Sequence, residues 1–422
     1  MTHPARIIST MTTKPSDRKV GESAAGNMEI VSGLGVFNDN RKLPLHRWYP
    51  FIEGFSSHLV ANAMEQKKYG VIFDPFGGSG TTALTASIDG RDSYFTEVNP
   101  FMAWVADVKI NQVKRFLDSG CDPSIIRKFR FSLNPTKKVL DENPFWSINK
   151  KRDFMAESNA KALISFMHEA NNLDEPYRSI ARLAGATSIL TTSNMVRRTD
   201  LRRRTASDKK PLNFLDVNRN RLEIFAEDLD ELKSAKLQQA FNLGNDARQG
   251  WKSPQLLDLI VTSPPYLNGT NYCRNTKMEL FACSFLSSEA ELQKLRDTSI
   301  MAGINNVSSR KKYEITDLPE IKKTVNKLIK ESYDKRIPEM VNGYFVDMGM
   351  MFASVYKNAS EDALFLLDIG DSKFAGVHVD TPKLLIEVAG HMGWKFKNSV
   401  RLRTRRSFDG SLLSQDLLEF FK

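Results

Sequence analysis

Apolar residues fall in short runs that end in acids or glycines, with polar stretches between them. Val71-Ile-Phe-Asp74 is a short apolar strand closing on an acid. A glycine turn follows it, then a helical pattern from Thr81 to Ile88 with Gly90 as its stop. Ser93-Tyr-Phe-Thr-Glu97 repeats the strand pattern, again ending in an acid. Strand, helix and strand in so short a span form a βαβ unit, which requires a parallel sheet. The pattern returns downstream. Leu256-Leu-Asp-Leu-Ile-Val261 and Ala363-Leu-Phe-Leu-Leu-Asp368 are near-continuous apolar strands, as strands covered on both faces should be. After Gly370 and Gly376, Asp380 or Thr381 can cap a helix with Pro382 in its first turn, Leu384, Leu385, Val388 and Met392 on one face and Gly393 at its end. Trp394 to Arg403 then supplies closing strand material.

Two stretches break the alternation. Residues 111–240 are mostly helical in pattern, with helices over Ala160–Ala170 and Tyr177–Leu190, and carry a basic loop from Arg197 to Lys210. Residues 284–340 are polar and charged around Arg310-Lys311-Lys312. Both read as insertions into one α/β sheet. The expected organisation is a disordered tail over 1–27, a core built from 28–110, 241–283 and 341–422, a helical insertion over 111–240, and a second insertion over 284–340 as candidate target-recognition region. The tail lacks the apolar stretch of a signal peptide, and Asp17 and Glu22 weigh against a transit peptide. No apolar run is long enough to span a membrane. Three cysteines, Cys121, Cys273 and Cys283, fit neither a zinc spacing nor a disulfide framework, which points to a reducing compartment.

The chemistry sits at two strand ends. In Asp74-Pro-Phe-Gly-Gly-Ser-Gly-Thr-Thr82, the glycines let the backbone turn sharply and approach a ligand with no Cβ in the way. Gly78, Gly80 and Ala83 also match a dinucleotide fingerprint, with Glu97 placed to take ribose hydroxyls. A phosphate-binding loop would need a lysine where Thr81 stands. A nicotinamide enzyme would fit the glycines, but Asp74 at the strand end is a poor neighbour for pyrophosphate. It suits a cofactor with a cationic amino acid end, such as S-adenosylmethionine. A plain strand-to-helix turn is the remaining alternative.

The second is Thr262-Ser263-Pro264-Pro265-Tyr266, after the strand ending at Val261. Paired prolines fix the backbone and remove two N–H donors, so acceptors dominate the corner. An exocyclic base amine needs such acceptors, because its lone pair is delocalised into the ring. The Ser263 hydroxyl and the Pro264 carbonyl can accept its two N–H bonds, and Tyr266 can stack on a flipped base. The alternative is a proline-rich turn with Tyr266 half-buried.

Together these segments resemble the amino-methyltransferase family of DNA-modifying enzymes. Leu267-Asn-Gly-Thr-Asn-Tyr272 and Lys277-Met-Glu-Leu-Phe281 are similar to members with serine in the second motif, which usually methylate cytosine N4; Asp or Asn at that place usually accompanies adenine N6. The resemblance implies a Rossmann-like methyltransferase fold with a seven-stranded, mostly parallel sheet, S-adenosylmethionine as cofactor and double-stranded DNA as partner. By the same resemblance Asp74, Phe76, Gly78, Gly80 and Thr81 belong to the cofactor loop and Glu97 with Asn99 to the ribose site. Asp246 and Ala247 belong to the adenine loop, Tyr49 and Phe51 to the segment over the methionine end, and Ser263, Pro264, Pro265 and Tyr266 to catalysis. It further implies a prokaryotic, cytoplasmic restriction-modification setting with a possible cognate endonuclease, as monomer or dimer. The rivals are an adenine-N6 or RNA-guanine N2 enzyme on the same scaffold, and a non-catalytic DNA-binding module.

Charge agrees with a polyanionic partner: the net charge is +10. Arg197, Arg198, Arg202, Arg203 and Arg204 are candidate phosphate contacts, and Arg401, Arg403, Arg405 and Arg406 a second set, although alternate arginines in a strand can simply line its exposed side. Lys277 and Glu279 read as a surface pair. The six histidines show no metal spacing, and no cysteine follows a proline as cytosine-C5 chemistry would need.

Overall fold

The computed structural model describes residues 34–51, 54–68, 70–197, 200–267, 272–307, 313–406 and 410–422. The tail expected over 1–27, Arg198, the Asn268–Asn271 stretch and the Arg310–Lys312 cluster lie outside them.

Seven strands form one sheet. In chain order they are β1 (Val71–Asp74), β2 (Ser93–Thr96), β5 (Ala240–Gly244), β6 (Leu257–Thr262), β7 (Ala359–Gly370), β10 (Lys395–Arg406) and β11 (Leu412–Phe421). Their spatial order is β10-β11-β7-β6-β1-β2-β5. β1 pairs in parallel with β2 and β6, β2 with β5, and β6 with β7. Only β11 runs against its neighbours, slotted between β7 and β10. Two short hairpins lie off the sheet: β3 (Met195–Arg197) with β4 (Leu201–Arg203), and β8 (Ser372–Phe374) with β9 (Val377–Val379).

The central strands are mostly apolar because both faces are covered, and successive side chains go to opposite layers. Phe73, Tyr94 and Ile260 pack on one side, in a core shared with the helices Arg336–Asn358 and Thr381–His391. Ile72, Leu259 and Val261 face the other, against the helix Ser57–Gln66. Phe95 enters a third cluster with the helices Pro100–Asp107, Glu157–Ala170, Tyr177–Thr192 and Phe214–Glu231. The helical stretch therefore buries its apolar faces in one continuous core with the β1–β2 side of the sheet. Helical backbone runs from Pro100 through a π-turn at Val108–Gln112 to Asp118, and Arg336–Asn358 is one helix, so residues 110 and 340 mark no break in the chain. Among the described residues no helix is long and apolar enough to cross a membrane.

Candidate active site

Parallel strands send their following loops to the same edge, where α/β sheets bind ligands. A cleft there holds about 890 Å³ out to its open mouth. Its walls include Phe51 from the segment ahead of the helix Ser57–Gln66, Pro75, Phe76 and Gly78 after β1, Glu97 and Asn99 after β2, Asp246 and Ala247 after β5, and Ser263 and Pro265 after β6. The two sequence motifs thus face one cavity.

The β1 loop is shaped by its glycines. Gly80 precedes the helix Thr81–Ile88 at φ +78°, a left-handed conformation, and a Cβ there would stand 2.9 Å from Ala106 Cβ. Gly77 N–H donates to Thr96 O at 3.0 Å, tying the bend to β2. Lys109, fully buried in the π-turn, donates to Ser79 O at 2.7 Å and braces the bend from behind; burial lowers its ammonium to about 7. Sequence reading missed it, because nothing in a helical pattern marks which lysine points inward.

Glu97 faces the cavity with both oxygens held: Gly78 N–H donates to Oε2 and Asn99 N–H to Oε1, each at 2.8 Å. Burial raises its carboxyl to about 7 against the pull of those two bonds. Asn99 caps the next helix through Phe101 N and gives its amide to Thr276 Oγ1 at 2.7 Å. Asp246 lies at the wall, but its carboxylate is engaged by Arg248 Nε at 2.8 Å and Nη2 at 2.9 Å.

Several expected residues stand behind the wall. Asp74 is buried, accepts from Thr262 Oγ1 at 2.6 Å and Phe76 N at 2.9 Å, and is raised to about 6 by burial. Its charge is directed at the β1–β6 junction rather than at an amino group in the cleft. Thr81 is buried at the start of its helix. Tyr49 is buried too, its hydroxyl donating to Glu279 Oε1 at 3.3 Å and accepting from Arg197 Nη1 at 3.1 Å. Tyr266 packs its ring against Gly370 and receives Ser263 Oγ–H at 3.3 Å on its hydroxyl.

The basic block is a hairpin, and its arginines differ. Arg197 is a correction: its side chain is 9% exposed, ion-paired to a fully buried Glu279, and donates to Asn275 O at 2.8 Å, so it is not open to a phosphate. Arg204 is folded onto the carbonyls of Ser193 and Lys209. Arg202 pairs with Asp208 at 2.7 Å, and Arg203, more than half exposed, meets Asp153 at 3.3 Å. Lys277 and Glu279 are not a pair, since Lys277 bonds Glu289 at 2.6 Å. At the other end Arg401 is bound to Asp416, Arg403 to Gln415, and Arg405 and Arg406 to the carbonyls of Asp371 and Gly410.

The segment 284–340 also contributes what sequence reading did not foresee. Thr298, Ser299, Ile300, Ala302 and Asn306 close the cleft opposite the glycine loop. They are hung from a buried cluster. Arg248 Nη1 donates to Asp347 Oδ1 at 2.7 Å and its Nη2 to Thr298 O at 2.7 Å, while Met301 N donates to Asp347 Oδ2 at 3.0 Å. Cys273 lines the cleft, and burial pushes its thiol up to about 11, so it is no ready nucleophile.

No protein-family model matches the chain. It is similar over most of its length to curated proteins. Type II methyltransferase M.BsoBI of Geobacillus stearothermophilus is 23% identical, covering 92% of this chain and 85% of that protein. Type II methyltransferase M.AvaI of Nostoc sp. strain PCC 7120 is 21% identical over 87% of this chain and 83% of its own, and M.AvaI of Anabaena variabilis gives the same figures. With the observed topology, this makes the architecture a Rossmann-like methyltransferase fold.

Proposed function

We propose that the chain is a DNA methyltransferase of the Type II kind, the modification half of a bacterial, cytoplasmic restriction–modification pair, and that its target is N4 of a cytosine turned out of duplex DNA. One observation carries the reading: Ser263, on the wall of the same cavity as Glu97, directs its own hydrogen to Tyr266. The lone pairs of Oγ are then left for a donor coming from the cleft, which is what a poorly nucleophilic amine needs.

The residues present fit S-adenosylmethionine. Gly78 offers a wall without a Cβ, Glu97 retains lone pairs for a ribose diol beyond the two backbone N–H groups it accepts, and Phe76, Met102 and Ile300 give an apolar bed for a purine. Phe51 would lie over the amino acid end. When bound, the cofactor supplies an electrophilic methyl group on sulfonium sulfur. Everything else falls to the chain. Ser263 Oγ and the Pro264 carbonyl accept the two amine hydrogens and turn the nitrogen lone pair toward the methyl. The proline pair holds both acceptors still, which is the larger part of the acceleration for an in-line transfer. The apolar wall at Ile300 and Ala302 excludes water that would compete for the amine. Arg202 and Arg203, at the exposed end of the hairpin, contact phosphates; duplex DNA is the partner.

The test is transfer of labelled methyl from S-adenosylmethionine to duplex DNA, followed by nucleoside analysis. The expected product is N4-methylcytosine. N6-methyladenine alone would overturn the target, and no transfer to DNA the function.

A further inference from the structure

The catalytic corner is backed by a line of hydrogen bonds that its acceptor role leaves unused. Ser263 Oγ donates to Tyr266 Oη at 3.3 Å. Gln415 Nε2 lies 2.9 Å from the same phenolic oxygen, 2.7 Å from Asp368 Oδ1 and 3.1 Å from Gly35 O, its two hydrogens serving three acceptors. The amide cannot be reversed, because its Oε1 faces Arg403 Nε, which can only donate. With Ser263 and Gln415 on its oxygen, the phenol has its own hydrogen left for Asp368, whose Oδ1 shares the Gln415 amide nitrogen with it. Ser263, Tyr266 and Asp368 thus follow one another inward from the cleft wall.

Asp368 has no structural need to be a carboxylic acid. It sits near the C-terminal end of β7 between Leu367 and Ile369, opposite Leu417 of β11, and is 1% exposed. A carboxylate there loses hydration that Gln415 and Tyr266 only partly replace. Burial raises it to about 7; the groups facing it are Tyr266 from the catalytic loop, Gln415 and Asp416 from β11 and Arg403 from β10, with Asp416 pushing it up and the others pulling it down.

We propose that Asp368, reached through Ser263 and Tyr266, receives the proton that the target nitrogen must lose on methylation. This rests on the methyltransferase reading. As the nitrogen lone pair forms the new C–N bond, the methyl–sulfur pair stays on sulfur and the nitrogen carries one proton too many. That N–H bond breaks and its electron pair remains on nitrogen. The proton passes to Ser263 Oγ, the serine hydrogen to Tyr266 Oη, and the phenol hydrogen to the Asp368 carboxylate. The positive charge is neutralised without admitting water. Once the base has left, the proton returns along the same line to solvent. Asp368 touches no substrate; it is a positioning and proton-holding residue acting through the other two.

The test has two parts on the full chain. Infrared difference spectra of the cofactor-free protein, titrated between about pH 5 and 9, should show a carboxylic C=O band that disappears near neutrality and is missing in Asp368→Asn. Single-turnover methylation at saturating cofactor and DNA should then rise with pH through the same range. Asp368→Asn should be slower by about 10²-fold, the low end for general-base chemistry, and flat with pH, with cofactor and DNA affinities unchanged. Tyr266→Phe, which keeps the ring and cuts the line, should match it and serves if Asp368→Asn does not fold. A variant that keeps the wild-type rate and pH limb overturns the relay alone. A wild-type protein that methylates no DNA overturns the underlying reading, and the infrared titration still reports whether Asp368 holds a proton near pH 7.

Discussion

Arg197 and Arg203 come from one basic block, yet the first is buried in an ion pair and the second lies exposed, and the difference is measurable. Arg197 lies between Glu279, Tyr49 and the Asn275 carbonyl, with side-chain exposures of 9% for itself and 1% for Glu279. Replacing it by Gln leaves a buried carboxylate without its cation. Breaking a buried pair in this way costs about 3–5 kcal/mol. Arg203 is 56% exposed, ion-paired to an Asp153 that is itself 72% exposed and otherwise bonded to the carbonyls of Arg152 and Asp153 at the surface, so Arg203→Gln should hardly move a urea melt. On DNA the order reverses. Losing one phosphate contact reduces the salt slope by about 0.9, so raising salt fourfold should weaken binding by a factor about three- to fourfold smaller than in the wild type. Fluorescence anisotropy with a labelled duplex across a salt series, alongside urea melts, separates the two. Should Arg197→Gln leave the melt in place while flattening the salt slope, the buried-pair account is wrong. An unchanged slope in Arg203→Gln would remove the phosphate role.

Further outcomes follow from the cofactor side. Because Glu97 is raised to about 7, a ribose diol should find an ionised acceptor only above that pH, and affinity is lost as pH falls through it. For 5′-methylthioadenosine, which has the sugar and no titrating amine, binding by calorimetry should be up to about tenfold weaker at pH 6 than at pH 8, and Glu97→Gln should flatten the profile. Ser263→Ala should abolish methyl transfer while leaving cofactor affinity as it was, checked by filter binding beside the turnover assay. Gly80→Ala meets both a φ of +78° and a contact of 2.9 Å to Ala106, for a loss of about 2–4 kcal/mol in a urea melt. Gly78→Ala, at φ +50° with no neighbour nearer than 3.7 Å, should lose about 1–2 kcal/mol from the backbone alone.

The strands that carry the site were legible because they are buried on both faces and so are largely apolar, with acids or hydroxyls mainly at their ends. β11 was not, since its inward positions hold Gln415 and Asp416, and a strand with polar groups turned inward resembles a loop. Gln415 bonds Tyr266 of the catalytic corner, so what hid the strand is what makes it of interest. β5 was missed for the opposite reason: it is an edge strand with Phe241 and Asn242 exposed. The two glycine- and proline-rich turns were found because local backbone chemistry alone specifies them. Which acid faces the cleft was not. Asp74 and Glu97 both end apolar strands, and only packing turns one toward Thr262 and leaves the other on the wall. The arginine block misled likewise, because composition cannot tell a guanidinium aimed at Glu279 from one aimed at solvent.

The wall from Thr298 to Asn306 belongs to the segment that distinguishes this chain from a bare sheet enzyme, yet it is fastened by Arg248 from one side and Asp347 from the other. A stretch of this kind is no detachable cassette. Transplanting 284–340 from a relative would also exchange one side of the cleft proposed above for the methyl donor. A working chimera must carry Arg248 and Asp347 with the graft, because the wall hangs from both.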